Sequence, residues 1–445
     1  MKGYRYSFRT LPVMLIFVFL FVSFAFSKDF ETAAPETVGM SSNRLARIDS
    51  ILAKAVEQQR VKGVVAMIAR NSKVTYYKAF GEMDDGRPMQ KDTIFRICSM
   101  SKPITAVAVM MLWEQGLFTL DDPIANYIPE FKDMKVLVMD KNAEKGYRLD
   151  PAKRPITIRQ LLSHTSGLTY GFIGWPVIAQ CYVDNDVSDG FRVTDGTIGD
   201  WAKRIAKCPL AFQPGEGWEY GLNLDVLGRF VEVVSGMPFN QFLQKNVFDP
   251  LKMKDTSFFV TSEKVRRLAA LYEPTMEGGL KKVDRKVVSR SMMTDTQSFV
   301  YDPFYGYQGP KTHFSGGAGL HSTASDYLRF CQMLVNGGTL EGARLLSPST
   351  INLMVQNHMG DHIINFSPKG MKYGLGFGVY TDPAAAGSSI SKGAYQWLGI
   401  YNTMFFVDPT RRVSAVYFTQ LFPNMQADDL MKKYETLVQQ AIVKE

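Results

Sequence analysis

The sequence predicts an α/β plus all-α fold, in which an antiparallel sheet flanked by helices is built from both ends of the chain and a mostly helical domain is inserted between them. Two observations support this prediction. β-rich runs joined by short turns occur near both ends, whereas helical patterns separated by Gly- and Pro-containing connections fill the middle. Since 46% of the 445 residues are hydrophobic and 21% are charged, the chain can bury a large core.

The N-terminus has the pattern of a secretory signal peptide. An apolar run, Leu11–Phe26, follows three basic residues, and small residues stand around Ser27. The run is shorter than the roughly 20 residues that a membrane span needs. We therefore expect cleavage near Ser27 and a secreted or periplasmic protein with no stable membrane span. An uncleaved anchor is the alternative.

Residues 28–95 and 370–445 are predicted to form the sheet domain. Apolar residues spaced three and four apart predict a first helix, which Ser41 or Ser42 caps. The other predicted elements are the strands Val64–Ala69, Val74–Phe80, Thr403–Val407 and Val413–Thr419 and the helix Asp428–Val443. Because sequential strands usually lie side by side, we expect both hairpins to join one antiparallel sheet.

Residues 96–369 are predicted to form the inserted, mainly helical domain. Its helical patterns are Pro103–Gln115, Ile158–Ser163, Leu222–Ser235 and Ala324–Asn336. Two long connections, Tyr170–Thr194 and Gly278–Thr312, are expected to wall a pocket.

Charge and motif content exclude several classes of function. The net charge is +8, but the basic residues are scattered without interleaved aromatic residues, so we expect no nucleic-acid partner. No Gly-x-Ser-x-Gly, Walker or Gly-x-Gly-x-x-Gly pattern is present, which argues against α/β-hydrolases, NTPases and dinucleotide enzymes. The five His and four Cys, including His358 and His362, show no zinc-binding spacing.

The four cysteines permit two arrangements. In an exported chain Cys181 and Cys208 can form a disulfide, or both can remain free. Cys98 and Cys331 stand in apolar segments that are typical of buried free cysteines.

A Ser-x-x-Lys motif occurs twice, at Ser99–Lys102 and at Ser389–Lys392. Pro103 and the charge-free run after it place the first copy at the start of a buried helix, whereas the second stands in a loop rich in Gly, Ser and Ala. One helical turn separates Ser99 from Lys102, so the two side chains share a face and can exchange a proton. A lysine that only caps a surface turn is the alternative.

A lysine can activate a serine only in its neutral form. A free lysine has a pKa near 10.4, and burial can lower that value by roughly three units. Lys102 beside the N-terminus of a buried helix meets this condition, because the positive end of the helix dipole disfavours an ammonium there.

Four segments resemble motifs of the serine hydrolases related to class C β-lactamases, penicillin-binding D-alanyl carboxypeptidases and family VIII carboxylesterases. In chain order they are Phe95–Val107, Leu161–Leu168, Pro214–Tyr220 and Gly316–Leu320. The resemblance covers about residues 34–435. It implies a β-lactamase/penicillin-binding-protein-like fold, with Ser99 as nucleophile and with Lys102 and Tyr220 as its general base.

The sequence departs from the family pattern just after Tyr220, at positions that concern the substrate. Members that cleave peptides or β-lactams follow the motif tyrosine with x-Asn or x-Ser, whereas Gly221 and Leu222 follow Tyr220 here and Asn223 comes one place late. His164, in the second segment, is expected to be a structural residue in a turn and not a general base.

The third family motif matches Trp397–Leu398–Gly399, so no cation stands ready to bind a substrate carboxylate. By this resemblance Trp397 and Gly399 border the substrate, and Gly399 lets the backbone approach closely. The N–H groups of Ser99 and Ile400 would then form the oxyanion hole. An ordinary core aromatic is the alternative reading of Trp397.

Together these motifs predict an exported serine hydrolase that acts on a small-molecule ester or amide, most simply a carboxylesterase. The alternatives are a D-alanyl-D-alanine carboxypeptidase, D-amino peptidase or weak β-lactamase on the same fold, or a catalytically silent protein that binds cell-wall material. The predicted side chains and backbone amides suffice for acyl transfer, so we expect no metal or organic cofactor.

Overall fold

The strands and helices are taken from a computed structural model that describes residues 1–3, 30–290, 298–423 and 428–444. The predicted signal segment Leu11–Phe26 and its cleavage point at Ser27 lie outside the described residues. Export and cleavage therefore stay predictions.

The strands, numbered along the chain, are β1 (Gly63–Arg70), β2 (Lys73–Asp84), β3 (Arg87–Pro88), β4 (Phe95–Arg96), β5 (Lys135–Met139), β6 (Tyr147–Pro151), β7 (Tyr272–Pro274), β8 (Leu280–Lys282), β9 (Val287–Arg290), β10 (Ser298–Tyr301), β11 (His321–Ser322), β12 (Thr339–Leu340), β13 (Ala343–Arg344), β14 (Met371–Tyr373), β15 (Gly378–Tyr380), β16 (Tyr395–Gly399), β17 (Thr403–Asp408) and β18 (Val413–Phe418). The helices are α1 (Ser42–Glu57), α2 (Ser101–Glu114), α3 (Ile158–Leu162), α4 (Pro176–Asp184), α5 (Ile198–Ile205), α6 (Asn223–Ser235), α7 (Phe239–Leu243), α8 (Ser262–Val265), α9 (Ala324–Val335), α10 (Pro348–Met354) and α11 (Asp428–Gln440).

One antiparallel sheet of eight strands joins the two ends of the chain. Its strand order is β14-β15-β16-β17-β18-β1-β2-β3. Both predicted hairpins lie in it, as β1 with β2 and β17 with β18. The hairpins meet where β1 pairs with β18, so that Val65 lies opposite Phe418. The predicted fold class is confirmed.

The sheet is covered on both faces, which is why β1 is buried along its whole length. Its side chains alternate between two cores, as the period of two in a strand requires. Val64, Ala66 and Ile68 pack among residues of α1 and α11, whereas Val65 and Met67 belong to the larger core with α2 and α9. Helix α2, which carries the lysine of the first Ser-x-x-Lys motif, thus belongs to the larger core on this second face, where α9 packs on β1, β17 and β18.

The predicted helices form close to their expected bounds, with one correction. Ser41 is the cap of α1, and its side chain accepts a hydrogen bond from the backbone N–H of Arg44. Helix α2 begins at Ser101, two residues before the predicted start at Pro103, because a 3₁₀ turn over Cys98–Met100 leads directly into it. Proline is tolerated in the first turn of a helix, so Pro103 fits there.

The inserted region is less uniformly helical than the sequence predicts. It also carries the short two-stranded pairs β5-β6, β7-β8, β9-β10, β4-β11 and β12-β13. One core extends across the predicted domain boundaries at 95/96 and 369/370. The division into domains therefore stays a prediction.

Cys181 and Cys208 form a disulfide, with their Cα atoms 5.7 Å apart. It ties α4 to the segment after α5, while Cys98 and Cys331 are buried and free. Of the two arrangements that the sequence allowed, the structure contains the bridged one. In the described part of the chain, no helix is both long and apolar enough to cross a membrane.

Removing this disulfide is expected to lower the free energy of unfolding by about 3 kcal/mol, because the bridge closes a loop and restricts the unfolded chain. The two cysteines are 27 residues apart. Urea unfolding of the Cys181→Ser/Cys208→Ser variant checks this, with the parent protein reduced by dithiothreitol as the matched control. Equal midpoints for the variant and the oxidised parent would contradict the prediction.

Candidate active site

Ser99 lies in the 3₁₀ turn that precedes α2, beside the end of β16. Gly399, the last residue of β16, makes this approach possible. A Cβ atom there would collide with the Thr403 Oγ1 and with the backbone carbonyl of Ile97, two residues before Ser99. Glycine therefore lets β16 lie against the segment that carries Ser99. The oxyanion-hole role of the Ser99 and Ile400 N–H groups stays a prediction.

Lys102 is fully buried on α2, and its amine has three oxygen partners. The Nζ atom donates to Ser99 Oγ at 3.2 Å, to the Tyr170 hydroxyl at 2.7 Å and to the Gly317 carbonyl at 2.8 Å. The same atom lies 4.6 Å from the ring centroid of Tyr220. These partners are neutral, so no carboxylate is in direct contact to hold the amine in its charged form.

Burial lowers the pKa of Lys102 to about 7. The cause is the loss of water around the ammonium, which outweighs the opposite effects of the Asp225 carboxylate and of Cys98. Near neutral pH Lys102 is therefore present as a free amine far more often than an exposed lysine is. This amine is within hydrogen-bond distance of the Ser99 hydroxyl and can take its proton.

Tyr220, like Tyr170, forms a hydrogen bond with Ser99, and the ring centroids of the two tyrosines lie 5.4 Å apart. The Tyr220 side chain is buried, and burial raises its pKa above the usual value of a tyrosine. Hydrogen bonds with Ser99 and Trp397 act in the other direction. Tyr220 is thus protonated at neutral pH, so it can donate a proton to a leaving group and recover one from Ser99.

Trp397 reaches the site through Tyr220. Its Nε1–H donates to the Tyr220 hydroxyl oxygen at 2.9 Å, and its ring is buried on β16. Trp397 is therefore more than an isolated core aromatic, because its indole fixes the position of the phenol. Whether it also touches the substrate, as the sequence predicts, stays a prediction.

Two residues of this site, Tyr170 and Asp225, are not predicted from the sequence. Tyr170 follows the Leu161–Leu168 motif by two residues, in the connection expected to wall the pocket, and this closeness is a usable indication. Asp225 is a carboxylate within the otherwise apolar stretch of α6, which is an unusual place for a charge. Its Oδ1 accepts hydrogen bonds from the Ser315 hydroxyl and the Gly317 N–H.

Asp225 therefore supports the segment whose Gly317 carbonyl binds Lys102. Its second carboxylate oxygen, Oδ2, is buried without a hydrogen-bond partner among the described residues. Burial raises the pKa of this carboxyl, while the nearby Lys102 lowers it. Asp225 acts on Lys102 through space and through Gly317, without touching the amine.

His164 lies in a turn, and among the hydrogen bonds of the described residues none joins it to Ser99. Its Nδ1 accepts from the Asn223 side-chain amide at 2.8 Å and from the Gly221 N–H at 3.4 Å. Burial lowers the pKa of His164, so the ring is neutral. The same bonds engage Asn223, whose side-chain oxygen accepts from Ser166 Oγ.

The second Ser-x-x-Lys copy is different in every respect. Ser389 and Lys392 are exposed in the loop between β15 and β16.

Over residues 1–3, 30–290, 298–423 and 428–444, no three His, Cys, Asp or Glu side chains come together as a metal ion would require.

Most of the chain is similar to known proteins, both in sequence and in structure. Residues 48–440 match the beta-lactamase family. Protein Rv1367c of Mycobacterium tuberculosis is 34% identical over 379 residues, which cover 83% of this chain and 88% of that protein. Esterase EstB of Burkholderia gladioli is 33% identical over 386 residues, covering 84% and 90% respectively. Among solved structures, EstCE1, a hydrolase with promiscuous acyltransferase activity, superimposes with a TM-score of 0.76 at 29% identity and covers 90% of this chain and 98% of its own.

Proposed function

Because this chain belongs to the β-lactamase family and is a serine hydrolase, we propose that it is an exported carboxylesterase that forms an acyl-enzyme on Ser99. The observation that carries the proposal is the buried Lys102 amine, 3.2 Å from the Ser99 hydroxyl and with a pKa lowered to about 7. The similarity of this chain to Esterase EstB, which extends over 84% of the chain, also supports ester hydrolysis.

In the first half of the reaction, Ser99 Oγ attacks the ester carbonyl carbon while its proton passes to the Lys102 amine or through the Tyr220 hydroxyl. The carbonyl oxygen becomes an oxyanion, which the N–H groups of Ser99 and Ile400 stabilise in the proposed mechanism. The bond to the alcohol oxygen then breaks, and Tyr220 supplies the proton to the leaving alcohol. The acyl group stays on Ser99.

In the second half, water attacks the acyl carbon at the place that the alcohol has left. Its proton returns to the same base, the bond to Ser99 Oγ breaks, and the hydroxyl recovers a proton. The products are a carboxylic acid and a free enzyme. Every proton transfer uses Ser99, Lys102 or Tyr220.

Two features favour esters over peptides and β-lactams. Trp397 stands where peptide- and β-lactam-cleaving relatives carry a cation, and its N–H is occupied by Tyr220. The Asn223 amide, which would hold a substrate amide one position earlier, is bonded to His164 and Ser166. A neutral ester needs neither a cation at the position of Trp397 nor a free side-chain amide from Asn223.

Export is the second part of the proposal. The signal-like segment Leu11–Phe26 supports it, and so does the Cys181–Cys208 disulfide, since disulfides persist in oxidising compartments. A secreted or periplasmic location fits both observations.

Acyl transfer to an alcohol is a second candidate. EstCE1, which this chain resembles in structure, is a hydrolase with promiscuous acyltransferase activity. The same acyl-enzyme would serve, with an alcohol in place of water in the second half of the reaction.

A fluorophosphonate probe and a substrate panel test the proposal. We expect one covalent adduct per chain, on the peptide containing Ser99, and turnover of short-chain p-nitrophenyl esters with little cleavage of nitrocefin or a D-alanyl-D-alanine peptide. Ser99→Ala loses the adduct and the turnover. Ser389→Ala, the matched change in the exposed second motif, retains both.

Two results would contradict the proposal. Unchanged ester turnover in Ser99→Ala would remove Ser99 as the nucleophile. No labelling and no turnover in the parent protein would favour the catalytically silent binding protein instead.

A further inference from the structure

A strip of aromatic side chains leads from the reaction centre to the surface. This aromatic strip consists of Trp397, Tyr220, Trp218 and Phe366. Phe366 lies in the loop between α10 and β14, with its ring centroid 5.5 Å from Tyr220, 5.9 Å from Trp218 and 6.3 Å from Trp397. The other three rings are buried, whereas Phe366 is 55% exposed. The strip therefore ends in an aromatic ring that is open to solvent.

An exposed phenyl ring gains free energy when an apolar group covers it, because water leaves both surfaces. The edge-on contact between Phe366 and Tyr220, with 66° between the ring planes, holds the phenylalanine ring beside the phenol. An apolar substrate group next to Tyr220 would thus continue onto Phe366.

The aromatic contacts of Tyr170, whose ring centroid lies 5.4 Å from that of Tyr220, lead into the protein instead of to the surface. Tyr170, the other tyrosine at Lys102, stacks on Phe172 with ring centroids 4.8 Å apart. Phe172 in turn contacts Phe191 and Phe299, both of which are buried. The aromatic contacts of Tyr170 thus lead through the half-buried Phe172 to buried rings, whereas those of Tyr220 end at the exposed Phe366.

The proton transfers decide which part of an ester lies beside Tyr220. In the mechanism above, Tyr220 gives its proton to the leaving alcohol oxygen, so that oxygen must lie within hydrogen-bond distance of the Tyr220 hydroxyl. The carbon group attached to this oxygen then extends along the aromatic strip. The acyl chain, on the other side of the carbonyl carbon, points away from it.

We propose that Phe366 is a specificity-determining residue that binds the alcohol part of the ester, and that the preferred substrates are esters of aryl or bulky apolar alcohols. This inference rests on the proposed esterase function and adds the substrate class and the residue that selects it. The residue that selects the alcohol would thus lie in the loop between α10 and β14, apart from the proposed catalytic residues Ser99, Lys102 and Tyr220.

Two series of esters separate the alcohol side from the acyl side. In the first, acetate is fixed and the alcohol is methanol, butanol or benzyl alcohol; in the second, methanol is fixed and the acyl group is acetyl, butyryl or hexanoyl. In Phe366→Ala we expect the ratio of kcat/KM for benzyl acetate to that for methyl acetate to fall about five- to tenfold, the scale of a lost aromatic contact. The ratio of methyl hexanoate to methyl acetate stays unchanged.

Ile363→Ala is the matched control, since it removes an exposed apolar side chain from the same loop and is expected to leave both ratios unchanged. Phe366→Leu keeps an apolar side chain without the ring and should give an intermediate benzyl preference. It also serves as the readout if the alanine variant folds poorly.

An unchanged benzyl preference in Phe366→Ala, or a change confined to the acyl series, would overturn the inference. The proposed function is judged separately, by the turnover of methyl acetate in the parent protein and its loss in Ser99→Ala. Turnover without any Phe366 effect refutes only the role of Phe366, whereas a parent protein that cleaves no ester refutes both.

Discussion

Replacement of Lys102 by Met is expected to lower kcat for ester hydrolysis by about 10⁴-fold, the upper end of what a general base contributes. Methionine has similar length and fits an apolar environment, but it has no amine to take the Ser99 proton. Lys102→Arg should be equally inactive, because a guanidinium stays protonated and cannot act as a base. Steady-state kinetics on a short-chain ester measures both variants.

The exposed Lys392 of the second motif provides the matched control, and Lys392→Met should keep the parent rate. Thermal unfolding shows whether an inactive variant is still folded. We expect Lys102→Met to stay folded but to lose about 1–3 kcal/mol of unfolding free energy, because methionine leaves the buried Gly317 carbonyl without its donor. Activity near the parent level in a folded Lys102→Met variant would mean that another group is the base.

The same amine sets the pH dependence of the reaction. The active form has a neutral Lys102, whose pKa burial lowers to about 7. We therefore expect kcat/KM to be level at higher pH and to fall about tenfold per pH unit below a midpoint near 7. The pH profile of kcat/KM measures this midpoint, in buffers between about pH 5 and pH 9.

Replacing Asp225 tests whether Lys102 is the group whose titration sets the pH midpoint. The negative charge of Asp225 raises the pKa of Lys102, so Asp225→Asn should lower the midpoint and preserve activity at more acidic pH. An upward shift, or a profile without an acidic limb, would show that Lys102 is not the group being titrated.

The parts of the fold that the sequence predicts well are those with local patterns. Runs of β-forming residues and the turn residues between them predict β1, β2, β17 and β18, and the spacing of apolar residues predicts α6 to within one residue of its start. The two-residue strands β4 and β11 have no such pattern, because two residues cannot show a period. Their pairing brings Arg96 opposite His321 across more than 200 residues of chain, which only the tertiary fold determines.

The contacts of the site also fall into two groups: those that local sequence predicts and those that depend on the tertiary fold. Ser99 and Lys102 are one helical turn apart, so the sequence alone predicts that they meet. Tyr170 reaches Lys102 across 68 residues, and Trp397 reaches Tyr220 across 177. A resemblance to known motifs can suggest such partners, as it does for Tyr220, but the hydrogen bond from Trp397 and the approach of Tyr170 depend on how the sheet packs on the helices.

Because two tyrosine hydroxyls interact with Ser99, a paired substitution decides which of them carries the proton. Tyr220→Phe is expected to lower kcat by about 10²- to 10⁴-fold, since it removes the proposed donor to the leaving alcohol. Tyr170→Phe removes the corresponding atom from the neighbouring tyrosine, whose hydroxyl accepts from the Lys102 amine at 2.7 Å. We expect that loss to be smaller, about tenfold, because Tyr170 orients the base without transferring the proton to the alcohol.

Stability measurements separate this catalytic effect from a structural one. Tyr220→Phe leaves the buried Trp397 N–H without its acceptor, which should cost about 1–3 kcal/mol of unfolding free energy. The double variant Tyr220→Phe/Trp397→Phe removes donor and acceptor together, so it should regain stability without regaining activity. If Tyr170→Phe proved as damaging to kcat as Tyr220→Phe, the proton would have to pass through Tyr170, and the alcohol would leave on the side that Phe172 fills.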